Sequence, residues 1–312
     1  MKALVLSAGL GTRLRPLTDY IPKPLVPITG KPLISVITDS LLESGIDEFV
    51  FNPHHLSEQI EEYIKNDNIL SDISLIMFEP SILGTGESIA RVSDIVSEEE
   101  FFLVYNGDIV SDINILSLID YHKSFGSDVT LALTGSGSSK NVRLDNGNVT
   151  DIRFELNTDG SKGELFTFSG IAVYNCSFAK KMPRGRFYSV IDYIIEKMKT
   201  ENFRVGGFNA GKTYWNDIGD PKSYIGLHRD ILTHKKFAPS GVLIPKDGII
   251  VSEKSYLAAN VLIDGFVFVG NGVQIAEKVY LKDCIVFDNT VIEAGAHFEN
   301  CVIAPGFVMN NV

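Results

Sequence analysis

Lys2-Ala3-Leu4-Val5-Leu6-Ser7-Ala8-Gly9-Leu10-Gly11-Thr12-Arg13-Leu14-Arg15-Pro16-Leu17-Thr18 is the stretch that decides the fold. Residues 3–7 are a short apolar run, the pattern of a buried strand. The run breaks into a glycine-rich turn carrying two arginines. Without side chains at Gly9 and Gly11, backbone N–H groups can face a ligand closely. Arg13 and Arg15 place fixed positive charge beside them. That combination suits a polyphosphate. It is not a dinucleotide fingerprint, because position 14 is Leu, and it lacks the Gly-Lys-Ser/Thr of a P-loop. Just downstream, Pro22-Lys23-Pro24-Leu25-Val26-Pro27 holds a lysine between two rigid residues.

Outward from this stretch the chain alternates strands and helices. Residues 48–52, 73–78 and 101–105 read as strands, and 32–44, 56–65 and 86–96 as helices, with Ser57 as a cap. The run at 101–105 is almost purely apolar, as in a parallel sheet buried on both faces. Repeated βα units predict a doubly wound α/β domain with ligands outside the carboxyl ends of the strands. The Gly9 turn, Asn52, Glu79 and Asn106-Gly107-Asp108 all follow strand ends and are expected to converge there. The middle section is less regular: a helix at 112–122, a strand at 129–133, and a loop or hairpin at 136–148. A strand at 165–174 is interrupted by Ser169-Gly170, and a helix at 188–199 precedes a strand at 203–207. Tyr214-Trp215-Asn216-Asp217-Ile218-Gly219-Asp220-Pro221 is a turn that opens a helix running towards His228.

From about Ser240 the pattern changes. Val261, Val267, Val273, Val279, Ile285 and Val291 recur every six residues, and Ile263, Val269, Ile275, Leu281 and Phe287 follow two behind. A period of six with an internal alternation of two predicts a hexapeptide β-helix. The register is expected to slip after Val291, with Cys284 and Cys301 packed inside coils. The expected division is a catalytic domain over 1–236 and a coil over 237–312, whose open end offers a face for a homo-oligomer.

Composition sets bounds on partners. The 312 residues are 45% hydrophobic and 21% charged, as in a protein with a real core. A net charge of −11 argues against nucleic-acid binding and against an anionic membrane surface, though not against a local basic pocket. No apolar run is long enough to span a bilayer, and no secretory leader is evident. The three cysteines form no CxxC pair, which predicts neither a disulfide scaffold nor a cysteine zinc site and fits a reducing cytoplasm.

Residues 7–27 resemble the signature of the sugar-1-phosphate nucleotidyltransferases, which join an NTP to a sugar phosphate and release pyrophosphate. The resemblance extends over nearly the whole chain through Leu83-Gly84-Thr85-Gly86, Asn106-Gly107-Asp108, Glu155, Phe168-Ser169-Gly170 and Trp215-Asn216-Asp217-Ile218-Gly219. The first half is similar to bacterial mannose-1-phosphate guanylyltransferases and N-acetylmuramate-1-phosphate uridylyltransferases. The resemblance implies a Rossmann-like doubly wound mixed sheet followed by a short left-handed parallel β-helix, and Mg²⁺ as cofactor.

The chemistry such a reaction needs matches the residues. A sugar phosphate is already an anion near neutral pH, its second pKa being about 6, so it can attack the α-phosphorus without a general base. The difficulty lies in bringing two anions together and stabilising the leaving pyrophosphate, which calls for positioning, cations and a divalent metal. Arg13 is expected to bridge the α- and β-phosphates, Lys23 to hold the α-phosphate and the incoming oxygen, and Arg15 or Thr12 to assist. Asp108 and Asp217, each just past an apolar strand, can share one Mg²⁺. Alone, Asp108 would read as a turn residue and Asp217 as a helix N-cap; the family pattern favours the metal.

Nucleotide binding is expected at Ala8, Gly9, Gly11, Thr12, Arg13, Glu79, Gly84 and Gly86. The last two glycines either loosen a helix start or let backbone approach a base edge, and the sequence does not choose. By resemblance, Asn106, Gly107, Glu155, Ser169 and Gly170 hold the sugar phosphate. The family's Lys-Pro after this glutamate is replaced by Leu156-Asn157, leaving Lys162 as a candidate substitute and the sugar open.

Other residues take plainer readings. Adjacent His54 and His55 point apart in a strand and predict packing, not a metal pair. Ser7 and Ser169 lack His–Asp partners for a hydrolase, and Trp215 reads as a packing anchor. A silent regulatory subunit of the same fold would be expected to lose Arg13, Lys23 or an aspartate, and all are present. An acyltransferase would need a longer coil and a catalytic histidine, whereas His297 is the only histidine in this coil.

Overall fold

The computed structural model describes residues 1–137, 139–156, 162–201, 203–242 and 244–310. Its contacts form two compact units: Met1–Leu10 with Ile37–Trp215, and Gly11–Val36 with Asn216–Val312. Residues 11–36 and 216–236 fall in the same compact unit as the coil.

The first unit is built on one nine-stranded sheet. Its strands are β1 (Lys2–Leu6), β2 (Glu48–Phe51), β3 (Ser74–Ile76), β4 (Phe101–Asn106), β5 (Val129–Thr134), β6 (Val142–Asp145), β7 (Asn148–Ile152), β8 (Glu164–Asn175) and β9 (Val205–Asn209). The order is β3-β2-β1-β4-β8-β5-β9-β7-β6. Strands β3, β2, β1 and β4 run parallel. The long strand β8 runs antiparallel to both β4 and β5, so the sheet is mixed. Ala3, Leu4, Phe102 and Leu103 are wholly buried, as their continuous apolar runs imply.

Local chemistry explains the element ends. Helix α1 (Leu33–Glu43) stops before Gly45, which has φ +75. Helix α2 (Ser57–Asn66) begins with Ser57 inside it; Leu56, left-handed, stands at the N-cap, so Ser57 is not the cap expected of it. Helix α3 (Gly84–Ile95) starts two residues earlier than the sequence pattern. Asn114 caps α4 (Ile115–Phe125) and Ser189 caps α5 (Val190–Thr200), each accepting from a backbone N–H. Asn146-Gly147, both with positive φ, turn β6 into β7, so the glycine-rich stretch is a hairpin. Ser169-Gly170 do not interrupt β8. They form a bulge in it, where Gly170 takes φ +82.

The second unit carries helix α6 (Pro221–Leu232) and a coil of parallel strands with three faces. Ile249–Val251, Leu262–Val269, Tyr280–Val286 and Cys301–Ala304 stack along one sheet, and Tyr256–Leu257, Gln274–Ile275 and Val291–Ile292 along another. His297–Glu299 pairs with Tyr280–Lys282 on the third face. Phe307–Asn310 turns back antiparallel on the last rung. Val267, Val269, Val273, Ile275, Val279 and Leu281 fill the interior as the period of six requires.

The register slips earlier than expected. Ile249 pairs with Val267, eighteen residues on, but Val267 pairs with Cys284, seventeen on. The corner after Asp264 uses Gly265 and Phe266, whereas the next uses Asp283 alone. Cys284, Val286 and Ile292 therefore point inward instead of Ile285, Phe287 and Val291. Val291 is 62% exposed and Ile292 only 3%. Cys284 and Cys301 are buried on neighbouring rungs with their sulfurs 3.8 Å apart, packed as expected.

This register predicts opposite outcomes at adjacent positions. Val291→Asp should change stability by less than about 0.5 kcal/mol, as a surface substitution does. Ile292→Asp buries a carboxylate in the coil and should cost roughly 4 kcal/mol. Chemical denaturation of both variants checks the assignment; equal losses would restore the later slip.

Candidate active site

The first unit gathers its predicted residues at the carboxyl ends of three neighbouring parallel strands, β2, β1 and β4. Ser7 follows β1, Asn52 follows β2, and Gly107 follows β4. Gly107 N–H donates to the Leu6 carbonyl at 2.9 Å, and a Cβ at 107 would stand 2.4 Å from that oxygen. Only glycine lets the Asn106-Gly107-Asp108 turn press this closely on the first strand. A Cβ at Gly170 would meet the Asn106 amide at 2.8 Å, so this glycine makes room for Asn106.

A buried polar network ties these ends together. The Asn52 side-chain oxygen accepts from Ser7 N–H at 2.7 Å, and Asn52 N–H donates to the Ser7 hydroxyl at 3.1 Å. Its amide nitrogen donates to Glu79 Oε1 at 2.9 Å and to Ser88 Oγ at 3.1 Å. Ser88 Oγ donates to the same Glu79 oxygen at 2.5 Å. Glu79 is 2% exposed and Asn52 1%. Glu79 is thus joined to the glycine turn through Asn52, a link the sequence did not reveal.

Other predicted residues take structural positions. Cβ atoms at Gly84 and Gly86 would fall within 2.3 and 2.1 Å of Tyr188, so both glycines serve the close approach of that tyrosine. Gly86 N–H donates to the Tyr188 carbonyl at 3.2 Å. The Ser169 hydroxyl donates to the Ala132 carbonyl inside the sheet. Trp215 Nε1 donates to the Ser169 carbonyl at 2.8 Å, the anchoring expected of it. His54 Nδ1 is hydrogen-bonded to the Glu79 carbonyl, a packing role. Glu155 is ion-paired with Lys199 at 3.5 Å, each about half exposed. Lys162 is exposed, and Asn157 lies outside the described residues. Lys199 is the cation beside Glu155 that sequence spacing could not find.

The second unit holds the cations. Gly11 takes φ +63 and accepts at its carbonyl from Thr18 Oγ1 at 2.8 Å, which closes the turn. Thr12-Arg13-Leu14 form a short 3₁₀ helix with Leu14 as its buried anchor. Lys23 lies in a second such turn with Pro24 and is 9% exposed. A Cβ at Gly219 would stand 2.7 Å from both terminal nitrogens of Arg13, so the guanidinium covers this glycine. Asp217 ends the strand Trp215–Asp217. It is not a helix cap: Asp220 caps α6, exchanging hydrogen bonds with Ser223 in a capping box. Those bonds, with a smaller contribution from Arg13, hold the Asp220 carboxyl below its ordinary range.

Helix α6 in turn fixes the segment that bears Arg13 and Lys23. The Tyr224 hydroxyl donates to the Pro27 carbonyl at 2.5 Å, and Thr29 N–H donates to His228 Nε2 at 3.1 Å. His228 is fully buried, and burial pushes its pKa down to about 4. The folded state therefore binds this proton less readily than the unfolded chain, and stability falls as pH drops from about 6.5 to 4. The loss should reach roughly 3 kcal/mol. The buried His122, also shifted down by burial, adds in the same direction. His228→Gln should flatten the acid limb of a Tm-against-pH curve in this window; an unchanged limb would assign the loss elsewhere.

Asp108 and Asp217 are both half-buried carboxylates at strand ends. Among the described residues no cluster of three or more His, Cys, Asp or Glu side chains forms a metal cage. A carboxylate is the hard oxygen donor that suits Mg²⁺, which keeps several waters and takes phosphate oxygens for the rest. Among the described residues no helix is long and apolar enough to cross a membrane.

Known proteins resemble this chain in sequence and fold. The Nucleotidyl transferase family profile matches residues 2–234. The chain is 27% identical over 302 residues to a mannose-1-phosphate guanylyltransferase of Mycobacterium tuberculosis, covering 95% of this chain and 82% of that protein. It is 25% identical over 336 residues to a UTP–glucose-1-phosphate uridylyltransferase of Synechocystis, covering 98% and 85%. Among solved structures, HddC from Yersinia pseudotuberculosis, complexed with GMP-PN, is similar in fold, with a TM-score of 0.58 and 24% identity over 72% of this chain and 97% of that one. With this match and these relatives along nearly its whole length, the chain belongs to the nucleotidyl transferase family, among the sugar-1-phosphate nucleotidyltransferases.

Proposed function

We propose that the protein transfers GMP from GTP to mannose 1-phosphate, giving GDP-mannose and pyrophosphate, with Mg²⁺ held by Asp108 and Asp217. The observation that carries the choice of base is Glu79, a buried carboxylate fixed by Asn52 and Ser88. A carboxylate only accepts hydrogen bonds. The guanine edge offers two adjacent donors, whereas uracil offers one between two acceptors. Similarity to the mycobacterial guanylyltransferase supports the same choice.

The sugar phosphate attacks the α-phosphorus in line, and pyrophosphate leaves. Arg13 neutralises the triphosphate and the charge that grows on the leaving group, and Lys23, rigid between prolines, orients the α-phosphate. The bare backbone at Ala8 and Gly9 approaches the nucleotide, and nothing stands within 4 Å of where a Gly9 Cβ would be. Bound Mg²⁺ would add charge neutralisation and geometric restraint on the phosphates. The coil takes the left-handed sense of hexapeptide helices and joins copies of the chain in a cytoplasmic homo-oligomer.

The test is pyrophosphate release from a matrix of NTPs and sugar 1-phosphates with Mg²⁺. GTP with mannose 1-phosphate should exceed every other pair by at least about tenfold, the scale of one well-made hydrogen-bond contact. A higher rate with UTP would move the assignment to a uridylyltransferase, and no release with any pair would end it.

A further inference from the structure

We propose that Gly219 is a positioning residue: it is the bare seat that holds the Arg13 guanidinium ready for the triphosphate. This rests on the role of Arg13 proposed above. A Cβ built at Gly219 would lie 2.7 Å from Nη1, 2.7 Å from Nη2 and 2.9 Å from Cζ of Arg13. The equal distances to the two terminal nitrogens, shorter than the one to Cζ, mean that a methyl group would meet the outer edge of the guanidinium between Nη1 and Nη2. That edge crowds the glycine, where any side chain would displace it.

The seat itself is held on both sides. Gly219 N–H donates back to the Asp217 carbonyl at 2.8 Å, which closes a tight turn directly after the aspartate. Asp220, next in the chain, is locked as the α6 cap by Ser223, whose N–H donates to its carboxylate at 2.8 Å. Asp220 also feels the Arg13 charge. Arg13 is exposed, so packing around its side chain does not fix it. A pre-placed guanidinium loses less freedom when the phosphates arrive, and its fork geometry is the property that makes Arg useful here.

Gly219 does not need glycine for its backbone, since its φ is not positive. The three nearest atoms that a Cβ would meet all belong to the far end of one flexible side chain. Alanine is therefore compatible with the fold and restricts the unfolded chain. The seat thus makes an unusual forecast: a substitution that spares stability and removes activity.

The experiment is a double-mutant cycle on pyrophosphate release, with Gly219→Ala, Arg13→Ala and the double variant. Gly219→Ala should lower kcat by ten- to a hundredfold, with a smaller change in KM for the NTP and a Tm equal to or above the parent. In the Arg13→Ala background, adding Gly219→Ala should change kcat by less than twofold. The seat is refuted if Gly219→Ala keeps kcat within twofold, if the two losses multiply, or if Gly219→Ala lowers Tm by more than about 5 °C. Full activity in Arg13→Ala would instead remove Arg13 from the reaction, and the seat with it.

Discussion

Asp108→Ala and Asp217→Ala should each cut pyrophosphate release by at least about a thousandfold while leaving the protein folded. The reaction brings two anions together and builds charge on a leaving pyrophosphate, so loss of one metal-holding carboxylate removes about 4 kcal/mol or more of transition-state stabilisation. Neither substitution removes the bonds that hold the neighbouring elements. The α6 cap is Asp220, not Asp217, so the helix keeps both bonds of its capping box. The turn at Asp108 is held by Gly107 N–H on the Leu6 carbonyl, which does not involve the Asp108 side chain. On the metal assignment proposed above, the double variant should be scarcely worse than either single one. The checks are release rates and Tm for all three proteins, and a titration of Mg²⁺ against each single variant. Full activity in either single variant would sink the metal assignment.

How much of this was legible beforehand follows from how local each signal is. The strand at Lys2–Leu6 and the turn after it were readable because their apolar run and glycines are consecutive. The coil was readable because each rung repeats the same steric demand every six residues. The slip within it was not. Helix α6 packs on Leu262–Val269 and Tyr280–Val286, so residues on the outer face, such as Phe266 and Ile285, are buried as fully as those inside. With both faces apolar the alternation disappears, and Ile285 continued a series that Cys284 had already taken over.

The candidate site shows the same limit. Asn52, Glu79 and the Asn-Gly-Asp turn were placed at strand ends by pattern alone, and they are there. What Gly84 and Gly86 approach was undecidable, because Tyr188 lies about a hundred residues away and only the folded chain brings its backbone against Gly84 and its ring against Gly86. Lys199 beside Glu155, and Gly219 beneath Arg13, are likewise products of tertiary contact. Turn glycines and caps declare themselves locally; the partner they make room for does not.

Asn52 carries the other large expected effect. Its side chain joins Ser7, Ser88 and Glu79 by hydrogen bonds of 2.7, 3.1 and 2.9 Å, all away from water. Asn52→Leu would strip a donor from a buried carboxylate, a donor from the Ser88 hydroxyl and an acceptor from a buried N–H at once. Each orphaned group costs about 1–3 kcal/mol, more where it is charged, so a loss of roughly 4 kcal/mol is expected. With Glu79 and the turn at Ser7 both released, kcat/KM for the NTP should fall at least about a hundredfold, as misplaced reacting groups do. Asn52→Asp separates charge from shape. It keeps the outline of the side chain but turns the donor facing Glu79 into a second carboxyl. Like charges this close cannot both ionise, so the folded protein must hold a proton that the unfolded chain releases. The sign follows: the variant should be most nearly normal below about pH 4, where the unfolded chain is protonated too, and should lose stability as pH rises towards 8. Denaturation at pH 5 and pH 8 measures it. A gap from the parent protein that narrows towards acid would place Asn52 as the donor that makes the Glu79 carboxylate tolerable in the core. A gap that is constant with pH would mean that the network is held by shape alone.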